Sequence, residues 1–204
     1  MKKDLDLVKI VSYLFFDGHL YKDLKCFYFS SKNISDLRKF EKIVKRKFGL
    51  KGRFYLNDGG AGRIKTHKYR VFNKKICKEL ETIGVPKGSK TITDYEIPLW
   101  ILKNKKFAKE FIRIAYLCEG SMKEKDRKNP RISISMHKAE FLLKNGLKLM
   151  QDIKLILKNN GIEATDTGIY DAKRRKDGIK VKHLRFRIKT KDNNKFIKEI
   201  GWFK

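Results

Sequence analysis

Two acidic residues, each followed by glycine, are the residues of this sequence best suited to metal chemistry. Asp17-Gly18 closes the apolar run VKIVSYLFFDGHL, and Glu119-Gly120 closes the run FIRIAYLCEGSM, 102 residues further along the chain. A carboxylate at the end of an apolar helix is costly to desolvate unless a cation or hydrogen-bond donors compensate it. It also opposes the helix dipole. The repeated arrangement predicts two metal-binding acids that face a polyanion.

The oxygen chemistry of these acids favours a hard cation. Mg²⁺ usually takes one or two carboxylates, water and phosphate oxygens, and two-metal nucleases clamp the attacking and leaving oxygens of the scissile phosphate. The alternative interpretation is that Asp17 and Glu119 are ordinary helix-terminal acids beside turn glycines. A zinc site is disfavoured, because the three cysteines and four histidines are scattered and form no CxxC or HxxxH pattern.

The charge of the chain indicates a nucleic-acid partner. Its 204 residues include 51 Lys and Arg against 23 Asp and Glu, a net charge of +28 that both halves share. The alternative is that the positive charge belongs to a solvated, lysine-rich surface without a binding role. No apolar run reaches the roughly 18–20 residues that a membrane span needs, and no signal peptide is recognisable. We therefore expect a cytoplasmic protein without membrane contact.

The predicted elements occur twice in the same order. The first half has an apolar helix over residues 5–16, a strand over 25–33, a helix over 34–48 that Gly49 ends, a hairpin and a short helix. The second half repeats this order, with a strand from Arg131, a long helix over 138–161 and a very basic hairpin. We expect a first half at 1–84, an ordered surface linker at 85–104 and a second half at 105–204.

Basic residues alternate with apolar residues on the predicted hairpin strands. In KHLRFRIK and THKYRVF the cations share one face, as on a sheet whose outer face lies on DNA. Such strands fit the major groove, where arginine reads guanine; the alternative is an amphipathic strand that faces water. The candidate DNA-binding residues on strands and hairpin tips are Arg63, Lys65, Lys68, Arg70, Arg131, Ser133, Lys173, Arg174, Arg175, Lys176, His183, Arg185 and Arg187.

Both acidic runs resemble the motif of the LAGLIDADG homing endonucleases in their two-motif, single-chain form. SYLFFDG and FIRIAYLCEG carry the resemblance, which extends over nearly the whole chain. It implies an α+β fold of two pseudo-symmetric αββαββα halves with saddle-shaped antiparallel sheets, and motif helices that pack side by side. It also implies that Asp17, Gly18, Glu119 and Gly120 form the metal site. The family's small interface glycine is replaced by Ser12 and Ile114.

The family resemblance also implies a basic or polar residue near the metal ions. Matching positions are Lys32 and Lys138, after the second strand of each half, and Lys189 at the end of the last strand. Phe72 stands where the first half would have a counterpart of Lys189. The three lysines are therefore candidate catalytic residues in a site that is not symmetric.

The function that the resemblance implies is site-specific cleavage of double-stranded DNA by a monomer that uses Mg²⁺, with Mn²⁺ as a substitute. Asp17 and Glu119 are the expected metal ligands. Two other classes stay open. One is a non-catalytic protein of the same fold, either an RNA maturase that binds intron RNA or a DNA-binding regulator. The other is a basic RNA-binding protein of a different fold, in which the acid pair is accidental.

Overall fold

The chain folds as two units that share the element order αββαββα. The structure, a computed structural model, describes residues 1–57, 66–123, 130–172 and 174–201. The first unit spans residues 1–88 and the second spans residues 89–204. The fold class predicted from the sequence is confirmed, because each unit has one four-stranded antiparallel sheet with helices around it.

The first unit contains three helices and four strands in its described part. In chain order they are α1 (Leu5–Phe15), β1 (Gly18–Leu20), β2 (Cys26–Ser31), α2 (Ile34–Phe48), β3 (Arg53–Asn57), β4 (Thr66–Phe72) and α3 (Lys74–Thr82). The strands lie in the order β1-β2-β4-β3, so β2 and β4 are central.

Local signals in the sequence set the ends of α2. The side chain of Asn33 accepts a hydrogen bond from the backbone N–H of Ser35 at 3.0 Å, which caps the first turn. Gly49 ends the helix in the left-handed conformation, with φ of 68°, as its position predicted. Between these ends, residues at helical spacing form the buried stripe that packs on the sheet, namely Leu37, Phe40, Ile43 and Val44.

The second unit has the same order of elements after a leading segment. In chain order the helices and strands are α4 (Leu99–Leu102), α5 (Lys105–Glu119), β5 (Gly120–Lys123), β6 (Arg131–Ala139), α6 (Leu143–Asn159), β7 (Gly168–Asp171), β8 (Val181–Arg187) and α7 (Asn193–Glu199). Short 3₁₀ turns lie at Lys90–Ile92, Glu140–Leu142 and Thr190–Asp192. The strands lie in the order β5-β6-β8-β7.

The long helix predicted over residues 138–161 starts later than the pattern indicated. Lys138 and Ala139 stay in β6, because they pair with Lys182 and Val181 of β8. A 3₁₀ turn follows, and α6 begins only at Leu143. The antiparallel ladder has overridden the helical propensity of this stretch.

The segment predicted as a surface linker packs against the second unit. Asn145 of α6 donates a hydrogen bond to the carbonyl of Tyr95 at 2.8 Å, and Ile97 and Ile101 are buried. The segment also forms α4, which its sequence pattern did not predict. In the described part of the chain, none of the helices combines the length and apolar character needed to cross a membrane.

Candidate active site and nucleic-acid interface

Asp17 lies where the first motif helix ends. α1 stops at Phe15, and the backbone N–H of Phe16 donates to the carbonyl of Ser12 at 3.1 Å. Asp17 is exposed, while its backbone carbonyl accepts a hydrogen bond from Ser30 Oγ at 3.2 Å. The hydroxyl of Ser30 on β2 therefore holds the backbone of the acid against the sheet.

Both motif glycines are required by the space around them. A Cβ on Gly18 would lie 2.8 Å from the carbonyl oxygen of Tyr28 and 2.8 Å from Leu14 Cα. A Cβ on Gly120 would lie 2.3 Å from the carbonyl oxygen of Tyr116. These neighbours are backbone atoms that cannot move without disturbing a helix or a sheet. Glycine thus lets a strand leave each motif helix directly after the acid.

Replacing Gly120 by alanine should destabilise the fold without touching the carboxylate. We expect Gly120→Ala to lower the free energy of unfolding by about 1–3 kcal/mol, because the new methyl group overpacks the end of α5. Urea denaturation measures this change. Ser121→Ala, at the exposed next position, is the matched control, and equal midpoints for the two variants would contradict the steric explanation.

Glu119 is the last residue of α5 and is half-buried. Burial, together with the negative charge of Glu119, raises the pKa of Tyr95 above its usual range. The phenol therefore keeps its proton at neutral pH. Within the second unit, the carboxylate of Glu119 is therefore close enough to the neutral phenol of Tyr95 to interact with it electrostatically.

The donors at the two acidic steps fit a hard divalent cation. Asp17 and Glu119 each offer carboxylate oxygens at the end of a helix whose last carbonyls lack helical partners. Among the described residues, no group of three or more His, Cys, Asp or Glu side chains is arranged so that it could hold a metal ion. A site with few protein ligands suits Mg²⁺, which keeps water and substrate phosphates. Cys77, on α3, is not available as a thiolate either, since it is buried and burial raises its pKa to about 11.

Lys138 is fully buried and binds the leading segment, which is the part of the second unit that precedes α5 (residues 89–104). It lies on the same face of β6 as the core residues Ile132 and Ile134. Its Nζ donates a hydrogen bond to the carbonyl of Thr93 at 2.7 Å and lies 3.9 Å from the centroid of the Tyr95 ring. Lys138 therefore ties the backbone next to Tyr95 to the sheet, through two contacts inside its own unit.

The buried ammonium should make stability depend on pH. Burial lowers the pKa of Lys138 from 10.5 to about 8, although the charge of Asp94 opposes the shift. Between these values the unfolded chain holds a proton that the folded chain has lost, so stability rises with pH. Between pH 7.5 and pH 10, the free energy of unfolding of the wild type should rise by about 2–3 kcal/mol more than that of Lys138→Met. Thermal melts of both proteins test this, and parallel pH profiles would refute it.

The other two candidate lysines are at the surface. Lys32 is exposed in the turn between β2 and α2. Lys189 follows β8 and donates to the carboxylate of Glu163 at 2.8 Å, and this pairing raises the pKa of Lys189. Phe72, at the corresponding place in the first unit, is exposed. The three lysines thus differ in burial and in partners.

The outer face of the second sheet is polar and cationic, and it carries five of the predicted DNA-binding residues. Arg185 donates to Ser133 Oγ at 2.9 Å and covers this serine, which is 2% exposed. His183 stacks on His137 with ring centroids 4.7 Å apart. Burial, with the nearby His137 and Arg185, lowers the pKa of His183. The predicted residues on this face are Arg131, Ser133, His183, Arg185 and Arg187.

The outer face of the first sheet combines cations with aromatic rings. Lys68 and Arg70 of β4 lie on this face, opposite Ser30 and Tyr28 of β2. Lys68 Nζ lies 4.9 Å from the centroid of the Tyr28 ring. The Arg70 guanidinium carbon lies 5.0–6.0 Å from four ring centroids. We call this arrangement the Arg70 cage; its rings are those of Tyr21, Tyr28, Tyr55 and Phe72.

The basic tip of the second hairpin is described in part. Arg175 pairs with Asp177 and donates to Ser89 Oγ at 3.0 Å, so it stabilises its own loop. Arg174 and Lys176 are exposed. The predicted DNA contacts Arg63, Lys65 and Lys173 lie outside the described residues.

Sequence reasoning missed Tyr95 and the aromatic residues of the Arg70 cage. Period-two alternation in CFYFSS could have placed Tyr28 opposite the buried Phe27 and Phe29. Nothing in the local sequence indicates that Tyr95 would lie near Glu119, because the two residues are in different elements.

Curated relatives match this chain over part of their length. The tRNA-splicing ligase RtcB of Methanopyrus kandleri is 26% identical over 209 residues, which cover 96% of this chain and 20% of that protein. RtcB of Pyrococcus abyssi is 25% identical over 182 residues, which cover 83% of this chain and 19% of that protein. The chain therefore spans about a fifth of the length of these relatives.

Solved structures with the same fold include homing endonucleases and the LAGLIDADG domain of DUF199/WhiA. Variants of the homing endonuclease I-DmoI superpose with a TM-score of 0.56 at 17% identity, covering 96% of this chain and 90% of theirs. I-WcaI bound to its DNA recognition sequence superposes with a TM-score of 0.56 at 12% identity, and the match covers 98% of this chain and 83% of that structure. The N-terminal LAGLIDADG domain of DUF199/WhiA superposes with a TM-score of 0.58 at 14% identity, and the match covers 99% of this chain and 84% of that structure. At these identities the likeness establishes the fold.

The sequence comparison agrees with the internal repeat. Residues 106–201 match the LAGLIDADG-like domain family, and the matched region begins with the helix that ends at Glu119. The first unit repeats the same element order around the helix that precedes Asp17. The second unit is therefore similar to the LAGLIDADG-like domain family, and the chain carries the αββαββα arrangement of that unit twice in one polypeptide.

Proposed function

We propose that this chain is a site-specific endonuclease that cuts both strands of a DNA duplex. The observation that carries the proposal is the repeated pairing of an acid at the end of a motif helix with a sheet whose outer face is cationic. That combination supports a role in which each unit contributes one metal ligand and a surface for a polyanion. The solved structure of I-WcaI with its DNA recognition sequence supports DNA as the partner.

In this mechanism Asp17 and Glu119 supply carboxylate oxygens to Mg²⁺, which Mn²⁺ can replace. Asp17 and Glu119 would hold the ion, and the chemistry it would supply there is the activation of water and the stabilisation of the departing 3′ oxygen of the scissile phosphodiester. Gly18 and Gly120 keep each carboxylate at the very end of its helix. The hydrogen bond from Ser30 to the Asp17 carbonyl limits backbone movement at that acid. Each acid serves chiefly one DNA strand.

The cationic residues divide into two roles. Exposed side chains such as Arg131, Arg187 and Lys176 neutralise phosphates and position the duplex, which contributes affinity that depends on salt. Side chains that neighbouring groups hold in place, such as Arg185, are better suited to contact base edges.

The three candidate lysines take different parts in this scheme. Lys138 is a positioning residue, because its buried ammonium holds the backbone beside Tyr95 and so maintains the surroundings of Glu119. Lys32 is exposed and is the better candidate to approach a phosphate or a water molecule. Lys189 can approach a phosphate or a water molecule only if its hydrogen bond to the carboxylate of Glu163 breaks.

A cleavage selection tests the proposal. Purified protein is incubated with Mg²⁺ and a duplex library that contains a long randomised block, and the newly formed ends are ligated and sequenced. We expect ends at a fixed position within one family of related sequences. The double variant Asp17→Asn/Glu119→Gln is the control, and ends that do not exceed its background would contradict the nuclease.

Binding measurements on the same library separate the nuclease from a DNA-binding regulator of this fold. A regulator would enrich a duplex sequence without forming new ends. The fold itself does not decide between the two, because a likeness to the homing endonucleases at 12–17% identity shows the fold alone.

A further inference from the structure

Among the described residues, Arg70 has a buried hydrogen-bond donor without an acceptor. It lies on β4, a central strand of the first sheet, and its Nε is buried with no hydrogen-bond partner among the described residues. The five N–H donors of a guanidinium are fixed in one plane and cannot be removed by deprotonation. Because Nε is covered, a ligand can meet the guanidinium only through its two terminal groups, Nη1 and Nη2.

The Arg70 cage fixes the direction of this donor. The guanidinium carbon lies 5.0 Å from the ring centroid of Tyr55, 5.5 Å from Tyr21, 5.9 Å from Phe72 and 6.0 Å from Tyr28. Aromatic faces attract the cation and limit its rotation, but they accept no conventional hydrogen bonds. The cage thus holds the guanidinium in place with Nε covered, and leaves the terminal Nη1 and Nη2 groups for a ligand.

The same rings are poorly placed to stack on unpaired bases. Tyr28 stacks against His19, with centroids 5.3 Å apart and an interplanar angle of 24°. Lys68 Nζ lies 4.9 Å from the centroid of the Tyr28 ring. A base that stacked on Tyr28 would have to displace these neighbours. The arrangement therefore favours a ligand that presents an edge to Arg70, as a duplex does in its grooves.

We propose that Arg70 is the specificity-determining residue of the first unit, and that it donates two hydrogen bonds to O6 and N7 of one guanine in the major groove. This inference rests on the proposed recognition of duplex DNA. Guanine presents two neighbouring acceptors that match the arginine fork. A tetrahedral phosphate fits the site less well, since the ring faces beside the guanidinium would displace water from its remaining oxygens and offer them no hydrogen bonds. Thymine methyl groups of adjacent base pairs suit the rings.

Binding-site selection with three proteins tests this assignment. Wild-type protein should enrich a site with guanine at one position. Arg70→Lys keeps the charge but loses the fork, so it should lose about 10- to 100-fold in discrimination at that position alone. Arg70→Gln should change the preference there towards adenine. Arg53→Lys is the matched control, because Arg53 is exposed and is the cross-strand neighbour of Arg70 without the cage.

A substitution in the DNA removes any dependence on the folding of a variant. Replacing the selected guanine by 7-deazaguanine deletes one acceptor and should weaken wild-type binding about 10-fold, whereas the same change elsewhere should have no such effect. If Arg70→Lys weakened binding to all sequences equally, and if 7-deazaguanine did not weaken wild-type binding, Arg70 would be a phosphate contact. That result would overturn the guanine assignment and leave the proposed function standing. Failure of wild-type protein to enrich any sequence would overturn the assignment together with site-specific recognition.

Discussion

Asp17→Asn and Glu119→Gln should each lower the rate of double-strand cleavage by about 10²- to 10³-fold while DNA binding is retained. Each change keeps the size of the side chain and removes the charge that holds Mg²⁺. Loss of metal stabilisation worth several kcal/mol in the transition state accounts for a decrease of this size. Single-turnover cleavage of a selected site, with the two strands labelled separately, measures the effect. We expect each variant to impair one strand more than the other.

Matched controls separate loss of the metal ligands from loss of charge in general. Asp23→Asn in the first unit and Asp166→Asn in the second unit change exposed carboxylates away from the motif helices. Both should cleave as wild type does. Cleavage by Asp17→Asn at the wild-type rate, with unchanged Mg²⁺ dependence, would show that this acid is an ordinary helix-terminal residue.

DNA affinity should fall steeply with salt. A duplex contact that neutralises about five to eight phosphates gives a slope of about −4.5 to −7 in a plot of log affinity against log salt. Between 50 and 200 mM KCl the affinity should therefore fall by roughly 10³- to 10⁴-fold. The net charge of +28 and the cationic outer faces of both sheets are the reason for this expectation. Fluorescence anisotropy with labelled duplex over a salt series measures the slope.

Individual variants show which cations contribute to that slope. Arg187→Gln, on the outer face of the second sheet, should make it less steep by about 0.9. Lys78→Gln changes an exposed lysine of α3 and should leave it unchanged. Equal effects of the two variants would indicate a diffuse solvated charge and no defined DNA-binding face.

Elements with a strong local signal were predictable from the sequence. The apolar stripe of α2 follows the helical period, and Gly49 ends the helix in the conformation that glycine tolerates best. The internal repeat predicted the helices, the long strand after each motif helix and the hairpin, and both units contain them, whereas the short strands β1 and β5 were implied only by the family resemblance. Asp17 and Glu119 were identifiable because a charged residue that closes an apolar run is unusual twice in one chain.

Features that depend on strand register were not predictable from local sequence. The predicted strand beginning at Arg131 extends to Ala139 because β8 pairs with it that far, and this places Lys138 on the buried face. The Arg70 cage likewise assembles residues from several parts of the first unit. Cross-strand neighbours are fixed by register, which the local pattern of one strand does not specify.

The measurement that tests the central claim most directly is cleavage of a selected duplex by wild-type protein. The protein is mixed in excess with the duplex, with and without Mg²⁺, and both strands are resolved on a denaturing gel while binding is measured in parallel. The account predicts a cut in each strand at a fixed position, which appears only with Mg²⁺ and disappears in Asp17→Asn/Glu119→Gln although that variant still binds. Tight binding by wild-type protein that leaves both strands intact in Mg²⁺ and in Mn²⁺ would contradict it.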